Sequence, residues 1–146
     1  MARDFICKAL FAIFSLLISG TDIRRKAVPR AAFVAAFPFF FAFKNFFAEW
    51  NPLWESIAGI SAGLAIFLLS FFISRGKLGL ADVWYSALTG MMLGPLWWCA
   101  ATGIACLAGM VYLIASKKRE APFIPFMTAG SIAASIGQIF TSQCQI

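Results

Sequence analysis

The chain has 146 residues, 62% hydrophobic and 12% charged, with a mean hydropathy of +0.86, which excludes an ordinary soluble domain, where about a quarter of residues are charged. The net charge of +6 comes from Lys and Arg in short clusters between apolar runs, as in membrane-protein loops; no basic groove or stacking motif is present, so nucleic acid is excluded as a partner. There is no His, which excludes a His-based triad and a His-ligated metal.

Taken in chain order, five apolar blocks are visible: 5–20, 31–47, 57–74, 83–115 and 123–140. The first resembles a signal-peptide core, with Arg3 before it and small residues at its end. Arg24, Arg25, Lys26 and Arg30 follow at once and resist translocation, so the block reads as a retained helix. The second, rich in Phe from Phe33 to Phe47, reads as a lipid-facing helix. The fourth would extend about 50 Å as one helix against a hydrocarbon core of about 30 Å. Gly94-Pro95 lies near its middle, where Pro removes a donor, so the block divides into two short helices. The expectation is an all-α polytopic bundle of about six transmembrane helices, residues 1–146 forming one membrane domain.

With the amino terminus outside, the inner loops carry nine of the basic residues, among them Arg24, Arg75, Lys77 and Lys117, and the outer side three, Arg3, Lys8 and Lys44. That asymmetry follows the positive-inside rule, and it sets Trp50, Trp54, Trp97 and Trp98 at the outer boundary as an aromatic belt. Gly59 and Gly63, and again Gly90 and Gly94, have the G-x-x-x-G spacing that lets helix backbones approach closely in lipid. Cys7, Cys99, Cys106 and Cys144 are scattered without a C-x-x-C pair and read as small core residues.

Six acids remain to be sorted. Asp4 is at the terminus, Glu49 and Glu55 in the outer loop, and Glu120 in the last basic loop. Asp22 lies directly after the first apolar block and Asp82 directly before the fourth, so the topology brings both to one depth on the cytoplasmic side. A carboxylate at a membrane border is partly desolvated, and two close together cannot both ionise cheaply, so the pair would share a proton. One then activates water while the other hydrogen-bonds a scissile carbonyl. The bland alternative is that Asp22 neutralises its basic neighbours and Asp82 caps a helix.

Asp22 stands in D-I-R-R-K-A-V-P, Asp82 closes G-L-A-D after Gly79, and P-F-I-P-F runs from Pro122 to Phe126. In order and spacing these resemble the type IV prepilin peptidase family, with its D-x-R, G-x-G-D and P-F-x-P-F motifs. The resemblance implies an aspartic-type endopeptidase of the cytoplasmic (inner) membrane, cutting the short leader of single-span prepilin-like substrates at the cytoplasmic border. By position, Asp22 and Asp82 would be the catalytic pair, Gly79 the flexible element of the second motif, and Arg24 the basic position of the first. The alternative for Arg24 is an inside-facing anchor. Pro122 and Pro125 would shape a loop near the site or start a helix. The larger family members carry a cytosolic zinc-binding insertion and methylate the new amino terminus. The first loop here is short and lacks a Cys cluster, so the likeness is to the minimal form, with no metal, no cofactor and no methyltransferase activity expected.

Two positions depart from the family pattern. Ala81 replaces a usual Gly, which forbids easy positive φ there, and Trp84 stands where a Lys often follows. An inactive homologue is therefore an alternative, and so is a small transporter or channel component. A coupling acid in a transporter usually sits at mid-span, and no apolar run here has one. A purely structural subunit, acting through its G-x-x-x-G faces, is the third.

Overall fold

In the computed structural model the described residues are 2–25, 29–47, 53–75, 78–116 and 123–144. They form five helices: α1 (Ala2–Arg25), α2 (Arg30–Phe47), α3 (Leu53–Ile73), α4 (Leu80–Ser116) and α5 (Phe123–Cys144). Helices are what lipid demands of such a sequence, because each satisfies its own backbone donors and acceptors where no water can. Four of them, α1, α3, α4 and α5, are long and apolar enough to cross a membrane, and the apolar part of α2 is shorter, Ala31–Phe46. The chain is an all-α, multi-pass membrane protein.

The expected division of the fourth apolar block is present. Gly94 leaves the helix at φ 78°, ψ 169°, a left-handed conformation that Gly adopts without steric cost. Pro95 follows. Trp98 on the far side donates its indole N–H to Ser86 Oγ at 3.0 Å, whereas residues so spaced on one straight helix would be about 18 Å apart. The two arms of α4, residues 80–93 and 95–116, therefore fold back on each other, and the helical segments number six. Both arms reach α5 at one level, Tyr85 sharing a 3.0 Å hydrogen bond with Thr128 and Thr102 lying 3.8 Å from the Met127 sulfur.

Backbone contact locks α3 to the first arm. A Cβ placed on Gly59 would overlap the carbonyl of Gly90, and one on Gly90 would overlap the carbonyl of Gly59. A Cβ on Gly63 would lie 2.7 Å from the Ser86 carbonyl oxygen. The G-x-x-x-G pair of α3 thus serves the close approach its spacing predicts. Gly94 of the second pair makes the break instead. Gly130 plays the same part between α5 and Ala101 of the second arm.

Several expectations need correction. The helices overrun the apolar blocks, α1 by a full turn, because main-chain hydrogen bonding continues after the side chains turn polar; α3 also starts a turn early and takes in Trp54 and Glu55. The Phe-rich α2 is two-faced: Phe33 and Phe40 are buried while Phe39 and Phe46 are exposed. Trp54 is exposed, as a belt residue would be, but Trp98 is buried in the core, held by its bond to Ser86; Trp50 lies outside the described residues. Cys7 is buried, yet Cys99 and Cys106 are exposed on the bundle's apolar exterior. Lys44, expected at the outer surface, is buried.

Candidate active site

Asp22 lies in the last turn of α1 and Asp82 in the first turn of α4. The first four N–H groups of a helix have no partner within it, and the start of α4 meets that need locally. The Asp82 N–H donates to the Gly79 carbonyl at 3.0 Å, and the Gly79 N–H donates to Asp82 Oδ2 at 3.2 Å. The second bond is the carboxylate half of a capping box, the side chain three residues inside reaching back to the N–H of the cap, while the main-chain carbonyl of Gly79 takes the part that a cap side chain would play. The bland role of Asp82 as a helix cap is thus real, but it uses Oδ2.

Asp22 comes to the same place from 60 positions earlier in the chain: its carboxylate is close enough for its charge to act on Asp82. Both are half-buried. Beneath them Ile18, one turn below Asp22, and Val83, next to Asp82, belong to one buried cluster with Ile124 and Met127 of α5. The floor under the two carboxyl groups is therefore apolar. Deeper, the hydroxyls of Ser15, Thr89, Thr128 and Ser131 surround the Tyr85 phenol. Thr128 is fixed by the Ile124 carbonyl at 2.9 Å, and Ser15 is fully buried.

The remaining motif positions are arranged unevenly around this pair. Gly79 touches it: a Cβ there would stand 3.1 Å from Asp82 Oδ2, tight enough to push the carboxylate aside. Arg24 is exposed, as an anchor at the membrane border would be. Pro125 is partly buried in the first turn of α5, where Pro costs no helical hydrogen bond. Pro122 lies outside the described residues. Ala81 is helical and packs against the core cluster, so no positive φ is required of it and Ala fits as well as Gly. Trp84 is 41% exposed and sets its edge against Phe37 of α2, centroids 5.9 Å apart; the position of a usual Lys is here an aromatic contact between two helices.

Two features lie outside the motifs. Lys44 donates from α2 to the main-chain carbonyls of Met91 and Met92, and Glu55 sits against Gly94. The only sequence signals were a Lys inside a Phe-rich run and an acid beside Trp54, neither pointing to the other or to the Gly94-Pro95 break. Among the described residues no three His, Cys, Asp or Glu side chains stand together as metal ligands. What two carboxyl groups at one end of the bundle can do chemically is exchange protons with water and with a bound substrate.

Comparison with known proteins bears on this arrangement. The chain is 26% identical over 132 residues to the prepilin leader peptidase/N-methyltransferase of Bacillus subtilis (strain 168), an alignment covering 86% of this chain and 53% of that protein. It spans about half the length of this curated relative. No solved structure matches it. The model of the type IV leader peptidase family matches residues 9–114, a stretch holding α2, α3, both aspartates and nearly all of α4, and the chain belongs to that family.

Proposed function

We propose that this protein is a membrane-embedded aspartic endopeptidase that removes the short amino-terminal leader of prepilin-like proteins at the cytoplasmic border of the inner membrane. The observation that carries the reading is the approach of Asp22 and Asp82, carboxylates of α1 and α4 near enough for the charge of one to act on the other, within a chain of the type IV leader peptidase family. The substrate class rests on that family and on the relative's activity, and the whole of residues 1–146 would act as one peptidase domain. Arg24, Gly79, Pro122 and Pro125 support the site rather than react.

The chemistry follows from a shared proton. The ionised carboxylate takes a proton from a water molecule as the water oxygen attacks the scissile carbonyl, and the protonated carboxyl transfers its proton to the carbonyl oxygen, which becomes the second hydroxyl of a tetrahedral diol. The diol then collapses: the C–N bond breaks, the nitrogen receives a proton from the carboxyl that took one from water, and one diol hydroxyl returns its proton to the other carboxylate as the new carbonyl forms, so the pair again holds one proton. The Gly79 N–H holds Oδ2 of Asp82, which leaves its other oxygen to face water and substrate. The apolar floor of Ile18, Val83 and Ile124 strengthens each of these electrostatic contacts.

Co-expression with a prepilin-like substrate tests the reading, the substrate's amino terminus being read by mass spectrometry. Wild-type enzyme is expected to trim the leader, and Asp22→Asn and Asp82→Asn, at equal accumulation in the membrane, to leave it intact. Processing that survives either change sinks the two-aspartate mechanism.

A further inference from the structure

Pro95 has no N–H, so the carbonyl of Met91, four residues back, loses the donor that a continuous helix would supply. Gly94 then turns the chain out of the helix, and the last-turn carbonyls of the first arm of α4 have no partner in their own helix. In a bundle surrounded by lipid, water cannot take their place. The break that makes the hairpin possible therefore creates an acceptor-rich, negatively polarised end inside an apolar structure.

Lys44 lies where that end needs a donor. It is in the last turn of α2 and only 4% exposed. Its ammonium donates to the carbonyl oxygen of Met91, the one that Pro95 deprives, and to that of Met92 at 3.3 Å. A charge so deeply placed persists only with close partners, and two main-chain carbonyls at a helix C-terminus are such partners. The carboxylate of Glu55 borders the same break, 3.7 Å from where a Cβ on Gly94 would stand. The first arm of α4 is thus capped by charge at both ends: Asp82 meets the N–H groups at its start, and Lys44 meets the carbonyls at its finish.

We propose that Lys44 is a positioning residue: its ammonium stands in for the amide donor that the Gly94-Pro95 break withdraws, and so fixes the depth and rotation of the arm that carries Asp82. Its effect on cleavage rests on the function proposed above; its effect on the hairpin does not. The ammonium, rather than the bulk of the side chain, does this, which separates the role from ordinary packing.

The test uses the full chain in lipid nanodiscs with three variants. Lys44→Met keeps most of the length and loses the donors, Lys44→Arg keeps a cation, and Lys44→Ala leaves a space that ethylammonium fits. Lys44→Met is expected to lower kcat for leader removal about tenfold with KM nearly unchanged, and to speed amide hydrogen exchange across residues 90–98 by about the same factor, the loss of a hydrogen bond to a charged group. Lys44→Arg should recover most of both. Lys44→Ala should be restored by ethylammonium and not by the same concentration of ethanol. Wild-type exchange and turnover in Lys44→Met, or equal rescue by the alcohol, overturns the proposal. Should Lys44→Met fail to accumulate, Lys44→Ala decides: an amine-dependent rise in its unfolding temperature upholds the role, and no response to amine overturns it. If wild-type protein cleaves no prepilin, the peptidase reading fails, while exchange and amine rescue still decide the part played by Lys44.

Discussion

The two aspartates stand on halves of the bundle that are held together by different means. Asp82 belongs to the half made of α3, the arms of α4 and α5, where glycines bring main chain against main chain at Gly59 and Gly90, at Gly63 and Ser86, and at Gly130 and Ala101. Asp22 belongs to the half made of α1 and α2, which meet through ring edges: Phe11 on Phe40 at 5.7 Å and Phe14 on Phe40 at 5.3 Å. The two halves join through Phe37 on Trp84, the Thr128 hydroxyl on the Ser15 carbonyl at 3.4 Å and the hydrogen bonds from Lys44 to the Met91 and Met92 carbonyls. Backbone contacts tolerate almost no displacement, whereas aromatic edges slide over tenths of an ångström at little cost. Asp82 therefore stands on main-chain contacts, and Asp22 on contacts made by side chains.

The comparison is broken most violently by filling the glycine contact. Gly90→Ala has nowhere to put its methyl group but the Gly59 carbonyl, and overpacking against main chain should cost about 3 kcal/mol or more. Its unfolding temperature in detergent and its yield from membranes should both fall; a normal melting curve would show the two helices to be less tightly joined than described. Next in size is Gly79→Ala. Its methyl group meets Asp82 Oδ2 and Ala is a poorer cap than Gly, so stability should drop by about 1 kcal/mol while cleavage falls further, because the displaced group is a reacting one in the mechanism proposed above. If the loss of rate merely tracks the loss of folded protein, the contact is not part of the site. The gentlest probe is a double-mutant cycle on Phe37→Ala and Trp84→Ala. A coupling of about 0.5–1.5 kcal/mol is expected for an edge-to-face pair, and additive effects would remove this contact from the joint between the halves.

Much of this was legible in the sequence, for reasons that can be named. Hydropathy gave the apolar blocks because lipid imposes it residue by residue, and Gly94-Pro95 announced its break because both residues act on their own backbone. The meeting of Asp22 and Asp82 was legible through topology: one follows a span and the next relevant acid precedes another on the same side. What was not legible involves pairs that no local pattern links. Lys44 counted as an outer charge and is a buried donor to Met91 and Met92. Trp98 looked like a belt residue until folding of the arms brought Ser86 beside it. Ala81 looked like an impediment because the motif suggests a turn, whereas the residue is already helical.

The first arm of α4 has a further consequence. Residues 80–93 span roughly 21 Å at 1.5 Å per residue, short of a hydrocarbon core of about 30 Å. Asp82 at one end and the Gly94 break at the other cannot both reach the surfaces of an undisturbed bilayer, so the lipid beside this arm must thin or the ends must lie sunk within it. Either way the membrane becomes a component of the site: it governs how readily water descends to the carboxyl groups, and acyl-chain length becomes a control on the protein as direct as any side chain.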